Sequence, residues 1–126
     1  MIKVIKTMKK LKLLIFLAAA LFLTSFAPSA SLLNASGKIT LLRVHDVGTG
    51  YGPTSDFIDV EAVIQLDTKP GSAFGFQLRN DNERVSREAM LNLLRDAFRN
   101  NWTVSIDYNI DPNKKNGIII RAWVQK

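Results

Sequence analysis

The chain has 126 residues, with 17 Lys or Arg against 11 Asp or Glu, a formal net charge of +6 and no cysteine. This length fits one small domain and excludes a multidomain enzyme, while the lack of cysteine excludes disulfides, Cys-ligated zinc and iron–sulfur clusters. Five of the cations lie within residues 1–12, where there is no acid, so the rest of the chain has 12 cations against 11 acids and a net charge of +1. The basic charge therefore belongs to the N-terminal segment and does not predict nucleic-acid binding.

Residues 1–30 have the composition of a secretory signal peptide. A basic segment over 1–12 precedes an uninterrupted apolar run over 13–23, and residues 24–30 are small and polar. The apolar run is about half as long as the roughly 20 residues that a membrane span requires, so a cleaved signal is favoured over an anchor. We therefore expect a periplasmic or secreted bacterial protein with no membrane span after cleavage. Residues 31–37 are predicted to be a linker, and residues 38–126 the folded domain.

The first predicted strand, 38–47, changes phase in its middle. Ile39 and Leu41 share one face, and then Leu42 and Val44 replace them. Such a change predicts a β-bulge or a strong bend.

Two further strands follow with simple alternation. In the second, 57–67, aliphatic side chains occupy one face and polar side chains the other. In the third, 73–80, Phe74 and Phe76 share a face and are predicted to lie in the core. The glycine-rich segment 48–56 and the Pro-Gly segment 68–72 are predicted to be loops.

The period then changes from two to about 3.6, which predicts one amphipathic helix over residues 87–99. Ser86 is the predicted N-cap, and Asn100 and Asn101 tolerate the left-handed conformation at the C-terminus. The predicted buried stripe consists of Ala89, Met90, Leu93, Leu94, Ala97 and Phe98.

Two strands, 102–110 and 118–125, complete the chain, separated by a loop over 111–117. In the first of them, Trp102 and Tyr108 are predicted to point inward. The order β-β-β-α-β-β predicts an all-β protein with one helix, an OB-fold, which is a five-stranded Greek-key barrel whose first strand bends to serve both sheets. An open α+β sheet with the helix across one face is the alternative, but it leaves the bend in the first strand unexplained.

The segment MLNLLRDAFRNNWTVSIDYNI (90–110), together with the secretory leader and the small mature domain, resembles the secreted B subunits of AB5-type bacterial toxins. The resemblance extends over the mature chain in the order of elements, and over about twenty residues in sequence pattern. It implies a secreted binding module that recognises cell-surface glycans and assembles into a ring of identical subunits.

The loops between strands one and two and between strands four and five are where OB-folds recognise ligands. Tyr51 in the first loop offers a flat ring for stacking, and Lys114, Lys115 and Asn116 in the second offer hydrogen-bond donors. These four residues are the predicted ligand-binding candidates. Glycines needed only for turns and lysines needed only for solubility would give the same pattern.

Phe57 and Trp123 are predicted interface residues. Phe57 falls on the polar face of strand two, and Trp123 shares a face with Arg121 and Gln125. Large apolar side chains that cluster on a polar face indicate an interface between subunits. The alternative is that the barrel curves so that one of these two side chains is covered within the same chain.

The sequence does not predict an enzyme, a cofactor or a metal site. His45 is the only histidine, so neither a zinc set nor a catalytic triad has the residues it needs. The carboxylates on or near strand two are predicted to form a solvated face, because nothing supplies the apolar pocket that would separate their pKa values. They are Asp56, Asp59, Glu61 and Asp67.

We therefore expect a secreted or periplasmic OB-fold binding module whose partner is a glycan or another protein. The first alternative is single-stranded nucleic-acid binding, which the net charge of +1 and export from the cytoplasm both disfavour. The others are a small envelope protein with a structural role and a small envelope enzyme that uses the strand-two carboxylates.

Overall fold

The computed structural model describes residues 32–126, so the predicted signal peptide lies outside the described residues. The described chain forms five strands and one α-helix, with a short 3₁₀ turn at Thr54–Asp56. The elements are β1 (Leu33–Val44), β2 (Ala62–Leu66), β3 (Ala73–Phe76), α1 (Arg84–Asn100), β4 (Thr103–Asn109) and β5 (Gly117–Trp123).

The strands close into a barrel in the order β1-β2-β3-β5-β4. Neighbouring strands are antiparallel except β3 and β5, which are parallel. Because β1 pairs with β4 as well as with β2, the sheet has no open side, and the alternative of an open α+β sheet is wrong. The closed five-stranded barrel with a helix between β3 and β4 confirms the predicted OB-fold class.

The predicted linker is in large part strand, because β1 begins at Leu33. Residues 33–38 pair with β4, and the later part of β1 pairs with β2. The buried positions in this first half are Ala35, whose side chain is a methyl group, and Gly37, which has no side chain, so the sequence shows no apolar alternation here. The strand was therefore not recognisable from hydrophobic periodicity.

The predicted change of phase in the first strand is confirmed as an irregularity between Ile39 and Leu41. Ile39 and Leu42 pack into the barrel core, whereas Leu41 packs against a second apolar cluster outside it. The irregularity thus lets β1 place side chains in the barrel core and also in the second apolar cluster. A first strand that pairs with both β2 and β4 needs such a bend.

The barrel core is built by alternate residues of the strands, as predicted for Phe74, Phe76 and Tyr108. The rings of Phe74 and Tyr108 lie 4.6 Å apart between centroids, with an interplanar angle of 58°. From α1, Leu94 and Ala97 are buried in this core, and Met90 and Leu91 pack against it.

The helix differs from the prediction in its first residue and in the extent of its buried face. It begins at Arg84, so Ser86 lies in the first turn, where its hydroxyl donates to the Glu83 carbonyl at 3.0 Å. Phe98 is 45% exposed and is not a core residue, because the buried face ends at Ala97. The predicted C-terminus is confirmed, with Asn101 in the left-handed conformation at φ 56°.

The second apolar cluster lies outside the barrel and contains the end of the β1–β2 connection. Ile58 and Val60 of this segment are buried against Val63 and Ala73 on the outer side of β2 and β3. The approach is close: a Cβ at Gly75 would lie 2.6 Å from Val60 Cγ2. The β1–β2 connection therefore covers an outer face of the sheet with its own side chains.

Among residues 32–126, no helix is both long and apolar enough to cross a membrane.

We expect Leu94→Ala to lower the free energy of unfolding by about 2–5 kcal/mol, because Leu94 is fully buried where the helix closes the barrel. Val85→Ala on the same helix is the matched control, since Val85 is 81% exposed. Urea unfolding monitored by circular dichroism measures both values. Equal effects of the two substitutions would contradict the assigned helix face.

Candidate ligand-binding site

Asp56 joins the two predicted ligand-binding loops. Its Oδ1 accepts hydrogen bonds from the backbone N–H groups of Lys115, at 2.9 Å, and Asn116, at 3.0 Å. Its backbone carbonyl accepts from Asn116 Nδ2 at 2.9 Å. The β1–β2 and β4–β5 loops thus lie side by side, and one carboxylate holds them together. We call the surface formed by residues 48–57 and 111–116 the loop rim.

Asn116, a predicted ligand contact, is 5% exposed and is a structural residue. Its Oδ1 accepts from the Ala73 N–H at 2.9 Å, while its Nδ2 donates to the Asp56 backbone carbonyl. The side chain therefore connects the β4–β5 loop to β3 and to the β1–β2 loop. Both the oxygen and the nitrogen of the Asn116 side-chain amide are therefore hydrogen-bonded to backbone groups.

The two lysines differ in what they contact. Lys114 Nζ donates to the Phe57 carbonyl at 3.0 Å and lies 3.6 Å from Asp111 Oδ2. Lys115 has an exposed side chain, although its backbone is held by Asp56. Lys115 is thus the lysine whose ammonium group faces solvent next to the joined loops.

Tyr51 is half-buried, and its polar and aromatic parts are both engaged. Its hydroxyl accepts from Gln65 Nε2 at 2.9 Å, and the Arg43 guanidinium lies 5.1 Å from its ring centroid. The backbone N–H and carbonyl pair with Ile58. One ring face is therefore already occupied by a cation, so Tyr51 is less available for stacking than its glycine-rich setting suggests.

Phe57 is the exposed aromatic residue of the loop rim, at 38% exposure. Its ring lies over Gly50, where a Cβ would come within 2.1 Å of Phe57 Cζ. Gly50 also has a φ of 61°, a conformation that side chains disfavour. The absence of a side chain at Gly50 therefore leaves room for one side of the Phe57 ring, and the exposed part of the ring faces solvent.

The structure does not bring the two predicted interface residues together. Trp123 is half-buried and pairs with Ser105 at the end of β5. Phe57 belongs to the loop rim, which lies next to the start of β5. Within the described chain, Phe57 and Trp123 therefore do not form one apolar patch.

The prediction of a solvated carboxylate face is wrong for Glu61, which is 2% exposed. Its Oε1 accepts from Arg79 Nε at 2.9 Å and from the Leu78 N–H at 3.1 Å. Arg79 also donates to Asp59 Oδ1 at 2.8 Å. The hydrogen bond to Glu61 raises the pKa of Arg79 above its usual range, and the hydrogen bond to Asp59 makes the second-largest contribution in the same direction. The network ties the end of the β1–β2 connection to the segment after β3.

The remaining polar residues singled out in the sequence also have structural partners. Asp67 Oδ1 accepts from the Lys38 N–H at 2.9 Å, which fixes the start of the β2–β3 turn against β1. His45 Nε2 lies 2.7 Å from the Val60 carbonyl and holds the β1–β2 connection. Within residues 32–126, no three His, Asp or Glu side chains come together as metal ligands.

Sequence reasoning missed a cleft at the C-terminal end of α1. Trp102 was predicted to lie in the core, but it is 44% exposed. It has the phase of the inward residues of β4, yet it precedes the first residue of that strand, so the barrel wall does not enclose it. A cavity of about 440 Å³ lies here, lined by Trp102, Thr103, Val124, Gln125 and Lys126.

No protein-family model, curated protein or solved structure matches this chain. The candidate site therefore rests on the geometry described above.

We expect Asp56→Ala to lower the free energy of unfolding by about 1–3 kcal/mol, because two backbone N–H groups lose a charged acceptor. The amides of Lys115 and Asn116 should exchange faster with solvent. Hydrogen-exchange NMR and urea unfolding measure these effects. Asp46→Ala in the same connection is the control, since Asp46 is exposed. Unchanged exchange at both amides would contradict the role of Asp56.

Proposed function

We propose that the protein is a secreted or periplasmic binding module that recognises a glycan on another molecule through the loop rim. The observation that carries this proposal is the link made by Asp56 between the β1–β2 and β4–β5 loops. A binding surface whose backbone is already ordered loses less conformational entropy when a ligand binds. The leader over residues 1–30 supports an address outside the cytoplasm.

The exposed groups of the loop rim have the chemistry that sugars require. Phe57 offers an aromatic surface for the C–H groups of a sugar ring, and Lys115 offers an ammonium donor for its oxygens. Tyr51, Lys114 and Asn116 support the rim through their own contacts. In this proposal, Phe57 and Lys115 contact the ligand, and the other three residues position the loops.

Single-stranded nucleic-acid binding is less well supported. OB-folds that bind nucleic acid use the outer face of strands two and three, and here Ile58 and Val60 pack against that side of the sheet. The net charge of +1 outside the leader also gives little affinity from counterion release.

Assembly into a ring belongs to the proposal because the resemblance to AB5-type B subunits implies it. Several identical rims on one ring would strengthen weak single contacts by avidity. Static light scattering of the mature protein measures the number of subunits.

We expect the mature protein to bind a subset of glycans on an array. Phe57→Ala and Lys115→Ala should each weaken that binding about fivefold or more, because the first removes an aromatic contact and the second a charged hydrogen-bond donor, each of which contributes about 1 kcal/mol or more. The matched controls are Phe98→Ala and Lys69→Ala, both exposed and outside the rim. Binding to no glycan, or equal binding by all four variants, would contradict the proposal.

A further inference from the structure

Asn116 and Gly117 form the only Asn-Gly pair in the sequence, and they lie where the β4–β5 loop meets the first residue of β5. An asparagine side chain loses its amide when the backbone nitrogen of the next residue attacks the side-chain carbonyl carbon, Cγ. Glycine has no side chain to obstruct that attack and is free in its backbone conformation, so this pair has the highest intrinsic reactivity among the asparagines of the chain. The reaction needs no cofactor, and its rate therefore depends on the conformation of the pair.

The folded structure holds Asn116 away from this reaction. The residue is 5% exposed, and its side-chain amide is held at both ends, since Oδ1 accepts from the Ala73 N–H and Nδ2 donates to the Asp56 carbonyl. Its own N–H donates to Asp56 Oδ1 at 3.0 Å. We call these three hydrogen bonds, together with that from the Lys115 N–H to Asp56, the loop joint. Attack by the Gly117 nitrogen rotates the side-chain amide and expels Nδ2, so the side-chain hydrogen bonds must break first and the joint must open.

The packing of the loops requires the two residues that make the pair reactive. A Cβ at Gly117 would lie 2.9 Å from the Asn109 carbonyl oxygen and 2.9 Å from Tyr108 Cδ2, so a larger residue, which would obstruct the attack, does not fit there without displacing backbone. An aspartate in place of Asn116 would present an acceptor to the Asp56 carbonyl, where Nδ2 now donates. The chemical liability is therefore a consequence of how the two loops are held together.

We propose that Asn116 is a deamidation site whose rate is controlled by the opening of the loop joint, and that its product keeps the joint open. In the first step the Gly117 nitrogen forms a bond to Asn116 Cγ, and the bond from Cγ to Nδ2 breaks. The proton of the glycine nitrogen leaves with the amide group as ammonia, and a five-membered succinimide remains. Water then adds to either carbonyl of that ring and opens it, which leaves aspartate or isoaspartate.

Each product removes the contacts that Asn116 makes in the joint. A carboxylate has no donor for the Asp56 carbonyl, and it adds a second negative charge beside the Asp56 carboxylate. Isoaspartate also lengthens the main chain by one methylene at the start of β5. Since ammonia is lost, the change is irreversible, and the backbone order of the loop rim is lost with it. The inference rests on the loop joint alone and does not depend on which ligand the loop rim binds.

The first test follows the mass of the peptide that contains Asn116 while the mature protein is incubated at neutral pH, both folded and in urea. We expect Asn116 to convert before the other asparagines in urea, and to convert about tenfold or more slowly in the folded protein, because only the opened joint reacts. Equal rates in the two samples, or earlier conversion of another asparagine in urea, would overturn the inference.

The second test distinguishes opening of the joint from unfolding of the whole barrel. Asp56→Ala removes the acceptor of two joint hydrogen bonds and should speed conversion of Asn116 in the folded protein about fivefold or more. Ile106→Val deletes one methylene from the barrel core, and Asp46→Ala alters an exposed residue, so both should stay within about twofold of the parent rate. Circular dichroism checks that each variant is folded. An unchanged rate in Asp56→Ala, or an equal acceleration in Ile106→Val, would show that the joint does not control the reaction.

The third test measures what the product does to the loops. Asn116→Asp reproduces the aspartate product, and protein deamidated during incubation is a second sample that has already folded. In both, hydrogen exchange of the Lys115 amide and of the amide at position 116 should be about tenfold or more faster than in the parent, while the Val104 amide in β4 is unchanged. Loop amides that stay protected in both samples would contradict the effect assigned to the product. None of these measurements uses a glycan, so this inference and the proposed function fail or stand separately.

Discussion

The packing of the β1–β2 connection against the outside of the barrel is the contact on which the other features depend. Ile58 and Val60 bury their side chains against Val63 and Ala73, and the missing side chain of Gly75 makes the close approach possible. Burial of apolar surface is the main favourable contribution in a small domain that has no disulfide. Polar contacts reinforce it at both ends of the buried segment, through the Glu61–Arg79 pair and through Asp56.

This packing also decides which surfaces remain for partners. The outer face of β2 and β3 is covered by the chain itself. The exposed aromatic rings of residues 32–126 lie elsewhere, at Phe57 on the loop rim, at Phe98 on α1 and at Trp102 beside the end of α1. Function in an OB-fold depends on such local sites more than on the fold. The barrel therefore presents two separate surfaces, each with an aromatic ring and exposed donor groups.

Much of the fold was predictable because alternation and helical periodicity report directly on burial. The break in phase of β1 and the left-handed Asn101 were read from single residues, and both are confirmed. Glu61 was not predictable as a buried residue, since its partner Arg79 is 18 residues away and only the fold brings them together.

The candidate sites were less predictable for a similar reason. Composition located the two loops only in part, since residues 57–61 were predicted as strand but belong to the β1–β2 connection. Which of the loop side chains are free depends on tertiary contacts such as that between Tyr51 and Gln65. The Trp102 cleft is lined by residues at the start of β4 and by residues that follow β5, which lie far apart in the sequence, and no local pattern marks it. Trp102 itself has core phase and is exposed only because β4 begins one residue later.

Nuclear Overhauser contacts between the Val60 methyl groups and the Gly75 α-protons test the central packing most directly. We expect strong contacts between them, together with slow exchange of the Ile58 amide, which donates to the Tyr51 carbonyl at 2.9 Å. Missing contacts and rapid exchange at Ile58 in an otherwise folded barrel would contradict it. The β1–β2 connection would then lie free of the sheet, and the loop rim would lose its support.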